Sequence, residues 1–434
     1  MMKNPLPIIL LLVPLAGGWH CAENPADPVK PFEPELIEPV EGTLYTQEDT
    51  INLSWTVMTS GPTSYTLQVA ADSLFTQLVV DNDTLATTSF PVTGLDTIPG
   101  YYYVRVKAIN KDGESGWSTV NKFMVQHRVF ITDTVTAGLD PQGVICLPDS
   151  QQVYVADHNG QQVLVFNTAD HSPAGAISLS FSPHEFAIHP SGSLVYVLGN
   201  SALAVIRTAD QAVISSKSGG FGLGDINTHY RPNNFTVHPD GSSLYIADGM
   251  HDRVLVLNTS DLSQQTSISL TGQPHGITIL PAGDYAYVAT WLGQQVKVIR
   301  LSDHQLIKSL DINGYPFALY SGLNDTYVYV ATHDGMVRIS TAGHTVAGDV
   351  QGARFSTIAA MVPGGKYMYT VREHLSGNVY LAVVDLVINT IVYQKQVVPP
   401  GGQPYTGLAA SPDGNRVYVT SPENKYLMVL NAFR

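Results

Sequence analysis

Between Val144 and Asn431 one pattern of apolar and polar positions occurs seven times. Each copy reads as an apolar strand, a Pro-Asp-Gly-type turn, a Val-Tyr-Val-like strand, a loop, and two further strands. The tyrosine of the second strand marks the copies at Tyr154, Tyr196, Tyr245, Tyr287, Tyr329, Tyr369 and Tyr418, spaced by 42, 49, 42, 42, 40 and 49 residues. These second strands are β-branched and aromatic with few charges, the composition of strands covered on both faces. In six copies the turn opens with proline, at Pro148, Pro190, Pro239, Pro281, Pro363 and Pro412. Proline presets φ for the first central turn position and Gly, Asp or Ser tolerates the next, so a tight hairpin is predicted. The fifth copy turns instead at Leu323-Asn324-Asp325.

A repeat of roughly 40–50 residues with four short strands predicts the blades of a β-propeller. The seventh copy supplies only three strands before Arg434, while an unassigned strand, residues 129–136, precedes the first copy. That strand is expected to complete the last blade from outside and remove the open sheet edges. A propeller gathers loops on one face around a channel, which predicts where a site would lie and leaves its chemistry open.

Pro232-Asn-Asn-Phe-Thr-Val-His-Pro-Asp-Gly-Ser-Ser-Leu-Tyr-Ile-Ala-Asp248, followed by Arg253-Val-Leu-Val-Leu-Asn-Thr259, resembles the YVTN-repeat propellers, the YncE-like and surface-layer-type proteins. The resemblance covers about 300 residues and all seven copies, with copies two, five and six departing furthest. It implies a seven-bladed, extracytoplasmic and usually non-catalytic protein. Related propellers include lactonases and quinoprotein dehydrogenases, so the fold alone does not exclude an enzyme.

Ahead of the repeats, residues 33–126 carry a second β-rich pattern: Ile51-Asn-Leu-Ser-Trp55, Tyr65-Thr-Leu-Gln-Val-Ala70 and Tyr101-Tyr-Tyr-Val-Arg-Val-Lys-Ala108. Tyr103, Arg105 and Lys107 alternate with Val104, Val106 and Ala108, as in a half-buried strand. The pattern resembles a fibronectin type III β-sandwich, which implies Trp55 in the core and Trp117 capping Arg105. The segment lacks a cysteine pair, in keeping with that family and unlike antibody-type domains. The fold class expected for the whole chain is therefore all-β: a fibronectin type III sandwich at 33–126, then a seven-bladed propeller at 127–434.

The first 20 residues read as a signal peptide: Lys3 precedes an apolar run from Leu6 to Ala16, too short to span a membrane stably. Cys21 follows, then an acidic, proline-rich linker at 21–32, a layout that resembles bacterial lipoproteins acylated on that cysteine. Gly18-Trp19-His20 departs from the small residues usual before such a cysteine, and cleavage after Gly18 is the alternative. The expected location is the bacterial cell envelope, membrane-anchored through Cys21; otherwise the chain is soluble in the periplasm or secreted. Cys146, the only other cysteine, falls in an innermost strand and reads as a buried, inert thiol.

The net charge is −14, and residues 22–126 hold 14 acids against 5 bases. No basic stripe exists to neutralise phosphates, which argues against nucleic acid as a partner. There is no GxSxG elbow, P-loop, CxxC or CxxCH, and Gly219–Gly224 sits where no helix follows. Candidate chemistry is therefore positional. The loops leading into the first strands and those joining second to third strands share one face. On it the sequence places Gln142, His184, Asn233, His275, Trp291, Phe317 and Tyr405 as binding residues, with lead-in triplets that include Arg354-Phe355-Ser356 and Pro404-Tyr405-Thr406. His184 and His275 occupy equivalent positions two blades apart, with Glu185 adjacent, but no HxH, HxxxH or HxxE spacing among the propeller histidines supports a metal site. His189 and His238 precede turns on the opposite face and are expected to serve hairpin structure.

The function expected is a non-catalytic envelope scaffold whose loop face binds a protein or polysaccharide, without cofactor or metal. The alternative is a lactonase-like hydrolase or an oxidoreductase at the channel mouth.

Overall fold

The second strand of each repeat is largely apolar because it has little solvent face. Every residue of Ser243–Asp248 is buried, and Gln152–Asp157, Leu194–Gly199 and Arg416–Ser421 are buried beyond their first residue. The fourth strands show the opposite: Thr345–Asp349 is exposed along its length. This gradient orders each repeat from an apolar interior to a polar rim. The computed structural model describes residues 29–46, 49–56, 61–95, 100–126, 131–223, 233–322, 326–354, 356–373, 379–398 and 406–432. The signal segment, Cys21, most of the linker, Tyr405 and the Leu323-Asn324-Asp325 turn lie outside the described residues. All regular structure among the described residues is β.

The chain divides into units at 1–125 and 126–434. In the first, a three-stranded sheet (Leu36–Glu38, Ile51–Trp55, Ser89–Val92) shares one apolar core with a larger sheet built on Ser64–Ala70, Gly100–Asn110 and Asn121–Gln126. Trp55 lies in that core with its ring 5.4 Å from Tyr65, beside Leu53, Leu67, Val104 and Phe123. On the outer face the Arg105 guanidinium is held between Phe75 and Trp117, at 4.0 and 4.2 Å from the ring centroids. Its Nε and one terminal nitrogen both donate to Gln68 Oε1, directly across the strand pair.

Among the described residues the second unit contains seven four-stranded antiparallel sheets, here called blades one to seven. Blade one is Pro141–Cys146, Gln152–Asp157, Gln162–Asn167 and Pro173–Ser178, and blades two to six follow the same order. The innermost strand of each blade touches those of its two neighbours, and that of blade seven (Gly407–Ala410) touches that of blade one, so the ring is closed. Ile131–Thr136 pairs antiparallel with Tyr426–Asn431 as the fourth strand of blade seven, with Ile131 opposite Leu430. Closure is reinforced by polar contacts. Asp133 Oδ2 is 2.7 Å from His171 Nδ1, and an Arg416 terminal nitrogen donates to His171 Nε2 and to Thr168 O. A guanidinium only donates, so His171 Nε2 accepts and Nδ1 carries the proton towards Asp133. The hydrogen bond from His171 is the main reason the Asp133 carboxyl lies below the usual range.

The turns on the face away from the channel mouth also tie blades together. His189 Nδ1 bonds Ser191 Oγ in its own turn at 2.7 Å, while Nε2 reaches Gly241 O of the next blade at 3.1 Å. His238 Nε2 repeats the step to Gly283 O at 3.0 Å. Gly241 and Gly283 adopt φ of +80° and +77°, a left-handed backbone that favours glycine. These histidines thus serve the hairpins, as their place before the turn suggests, and bridge blades as well.

Candidate functional site: the mouth face and the channel

In every blade the start of the innermost strand lies beside the end of the second, as Pro141 pairs with Asp157 and Pro316 with Thr332. The loops flanking those two positions therefore share one face, the mouth face. In blades one, two, four, five and six the innermost strand carries one extra residue here: Pro183 pairs with Gly199, but Glu185 already pairs with Leu198. Such a bulge re-aims the side chain it carries.

The pairing also fixes which residues are equivalent. Ile358 opposite Val371 and Gly407 opposite Thr420 place Thr357 and Thr406 where Gln142, His184, Asn233, His275 and Phe317 stand. The triplets read from sequence as Arg354-Phe355-Ser356 and Pro404-Tyr405-Thr406 are therefore displaced by two residues and by one. Both readings followed the aromatic side chain, whereas the ladder follows the hydrogen bonds.

Four of the predicted binding side chains are buried. Gln142 turns its Nε2 to Asp140 Oδ1 at 2.5 Å. His184 stacks on His158 of blade one with centroids 4.3 Å apart. His275 packs on Trp291 at 5.7 Å, and Phe317 lies beneath the same indole at 6.2 Å. Burial pushes the His275 imidazole down to about 4, and its Nδ1 has no hydrogen-bond partner among the described residues. Asn233 donates through Nδ2 to Leu319 O of blade five at 3.1 Å. Trp291 stays partly accessible and stacks on Tyr315 at 5.1 Å. Leu292, next to Trp291, is 67% exposed, and elsewhere on the mouth face Met250 (67%) and Leu139 (57%) are exposed too. Among the described residues, no three of His, Cys, Asp and Glu come together in a way that could hold a metal ion.

The channel beneath the mouth brings Glu185, which the sequence placed beside His184, together with residues the sequence did not single out. At the third position of the innermost strand, Gly143, Gly276 and Gly407 let neighbouring backbones touch. A Cβ there would meet His184 O at 2.4 Å, Phe317 O at 2.5 Å and Gln142 O at 2.4 Å. In blades two and three the same position is Glu185 and Asn234, and a side chain bridges the gap instead. Glu185 Oε2 accepts from Asn234 N–H at 3.0 Å, and Asn234 Nδ2 donates to His275 O at 3.0 Å. Further round, Tyr320 of blade five accepts Ala359 N–H of blade six on its hydroxyl at 2.9 Å. These residues line a cavity of about 360 Å³ with contributions from all seven innermost strands. Burial holds the Glu185 carboxyl well above its usual range, against the lowering effect of the Asn234 hydrogen bond. Burial chiefly, and the nearby Glu185 charge secondarily, raises the Tyr320 phenol.

No family model matches the chain, and no curated protein matches it either. Among solved structures it is similar to hydrazine synthase of Kuenenia stuttgartiensis, at 18% identity and a TM-score of 0.57 over 68% of this chain and 96% of that one. It is also similar to the β-propeller domain of Cps50 (Swd1) of Myceliophteria thermophila, at 11% identity and a TM-score of 0.59 over 70% of this chain and 100% of that one. The second unit is a β-propeller. At such identities the likeness carries the fold alone, and the site must be argued from the propeller's own residues.

Proposed function

We propose that the protein is a non-catalytic binding scaffold of the bacterial cell envelope, whose propeller docks a protein or polysaccharide on its mouth face. The observation that carries this reading is the accessible Trp291–Tyr315 stack, flanked by exposed Leu292. Exposed aromatics backed by a rigid layer, here His275 and Phe317, give contact area at little entropic cost. The same layer weighs against a hydrolase or oxidoreductase centred on His184 and His275, because both imidazoles are buried in ring stacks. In this reading the first unit is a fibronectin type III-like spacer and the propeller is of the YVTN type. Acylation of Cys21 would tether the chain, and the absence of a basic stripe argues against nucleic acid.

The test is sedimentation of purified protein with cell-envelope fragments, before and after protease or glycosidase treatment. A Trp291→Ala/Tyr315→Ala double variant that keeps the wild-type melting temperature should bind at least tenfold more weakly. Equal binding by the two proteins would overturn the mouth-face assignment. Replacing Cys21 by Ser should release the chain from the membrane fraction, and unchanged partitioning would refute the anchor.

A further inference from the structure

The channel cavity is separate from the mouth-face patch and poses a different chemical question. Its lining contains the carboxyl of Glu185 but neither lysine nor arginine. Glu185 occupies a position that three other blades fill with glycine, so it brings an acid into the ring where those blades carry no side chain. One carboxyl oxygen is used by Asn234 N–H, and the other has no hydrogen-bond donor among the described residues. Glu185 is partly buried, so this second oxygen reaches the cavity, where a carboxylate removed from bulk water favours holding a proton or pairing with a cation.

The rest of the wall restricts which cation fits. Tyr320 accepts a backbone N–H and keeps a second lone pair. A divalent metal would need several hard oxygen ligands, whereas the cavity offers one carboxylate. Its volume of about 360 Å³ is far larger than an ion and lies within the range of small-molecule sites. Val144, Phe186, Phe235, Ile277, Ile358 and Leu408 supply apolar wall on several blades.

We infer that the propeller channel binds a small amphipathic primary amine, with its ammonium on Glu185 and Tyr320 and its apolar body against the innermost strands. This inference is independent of the mouth-face reading. Where Glu185 holds its proton before binding, the carboxylic acid releases that proton to solvent and the resulting carboxylate pairs with the incoming ammonium. Binding should therefore strengthen as pH rises, by up to about tenfold per unit, and level off once the free carboxyl is ionised.

The probe is n-hexylamine, titrated calorimetrically into the full chain at pH 6 and pH 8, with n-hexanol as the uncharged control. The expected result is a one-to-one complex, tighter at pH 8, with a buffer-dependent heat at pH 6 that reports proton release. Hexanol should bind at least tenfold more weakly, and Glu185→Gln should lose at least tenfold in hexylamine affinity while Tyr320→Phe loses less. Hexanol binding as tightly as hexylamine would overturn the proposal in favour of a neutral acid that recognises hydroxyls. No saturable binding of hexylamine at millimolar concentration would also overturn it. The hexanol control and the proton-release signal use the wild-type chain, so they decide the question even where a variant folds poorly.

Discussion

The hydroxyl of Tyr287 meets Nδ1 of His344 at 2.6 Å, joining the second strand of blade four to the outer turn of blade five. The same step recurs from Tyr245 to His304 Nε2 at 3.2 Å, and from Tyr369 to Asn431 O at 3.2 Å. The tyrosine that marks the repeat is therefore an inter-blade tie as well as core filling. Burial, with help from Lys308, holds the His344 imidazole below its ordinary range, which keeps Nδ1 able to accept.

Tyr287→Phe should cost about 1 kcal/mol, the net worth of one hydrogen bond, or about 2 °C in a unit of this size. Tyr154 offers the matched control, because its buried hydroxyl has no partner among the described residues. Tyr154→Phe should be neutral or slightly stabilising. Thermal melts of the two variants give the comparison, and equal losses would deny the tie.

His275 predicts an acid sensitivity. Its folded pKa of about 4 lies below the ordinary 6.5, so the fold favours the neutral ring. The unfolded chain then takes up the proton first. The contribution is fully present above pH 6.5 and is lost as pH falls towards 4. At pH 5 the loss amounts to about 2 kcal/mol relative to neutral pH. Urea unfolding at pH 7.5 and 5 should show that difference between the wild type and His275→Leu, whose slope is correspondingly shallower. Parallel pH profiles would rule this out.

The ring closure is also testable. Removing residues 131–136 strips the fourth strand from blade seven and exposes the edge of Tyr426–Asn431. The expected outcome is a melting temperature lowered by more than about 10 °C, with aggregation through the open edge. Asp133→Asn is the milder version and should cost about 1 kcal/mol by weakening the bond from His171. A deletion that melts like the full chain would show that the strand is dispensable.

Asp248 is fully buried, accepts Gly222 N–H at 3.0 Å, and pairs with Arg253 Nε and His251 Nδ1, each at 2.7 Å. Asp248→Ala removes the carboxylate partner of Arg253 and should cost about 3 kcal/mol, near the low end for a broken buried pair because the guanidinium is partly exposed and still donates to Gly220 O. Arg253→Met should cost less, since the carboxylate keeps Gly222 N–H and His251. Denaturant midpoints order the two variants, and the reverse order would place the main contribution on the arginine.

The strands, the tyrosine period and the closing strand were legible because each depends on local pattern: β-branched runs, proline turns and a fixed spacing. Alternation along one strand assigned Arg105 its face, while Trp55 in the core and Trp117 over Arg105 were expected from the resemblance to fibronectin type III sandwiches. The lead-in positions of blades six and seven were not. Composition does not reveal register: Thr357, beside the bulge of blade six, and Thr406, in the unshifted ladder of blade seven, hold positions that only the strand pairing assigns. The channel was hidden more deeply. Glu185 and Tyr320 come from blades two and five, and nothing near either residue points to the other. A signal was present in the repeat itself: Glu185 and Asn234 stand where three other blades carry Gly143, Gly276 and Gly407.

The pairing of Ile131 with Leu430 joins residues almost the whole length of the ring apart. Such a contact can form only after all the intervening blades have been made, so an incomplete chain carries a blade that lacks its outer strand. Loop-closure entropy is then paid late and in one step, which makes the ring a slow folder relative to the local hairpins that compose it. Once formed, the same pairing must break before either end of the ring can peel away. Unfolding then begins by releasing a junction rather than by fraying an end, and the natural measure of this protein's durability is the lifetime of that junction.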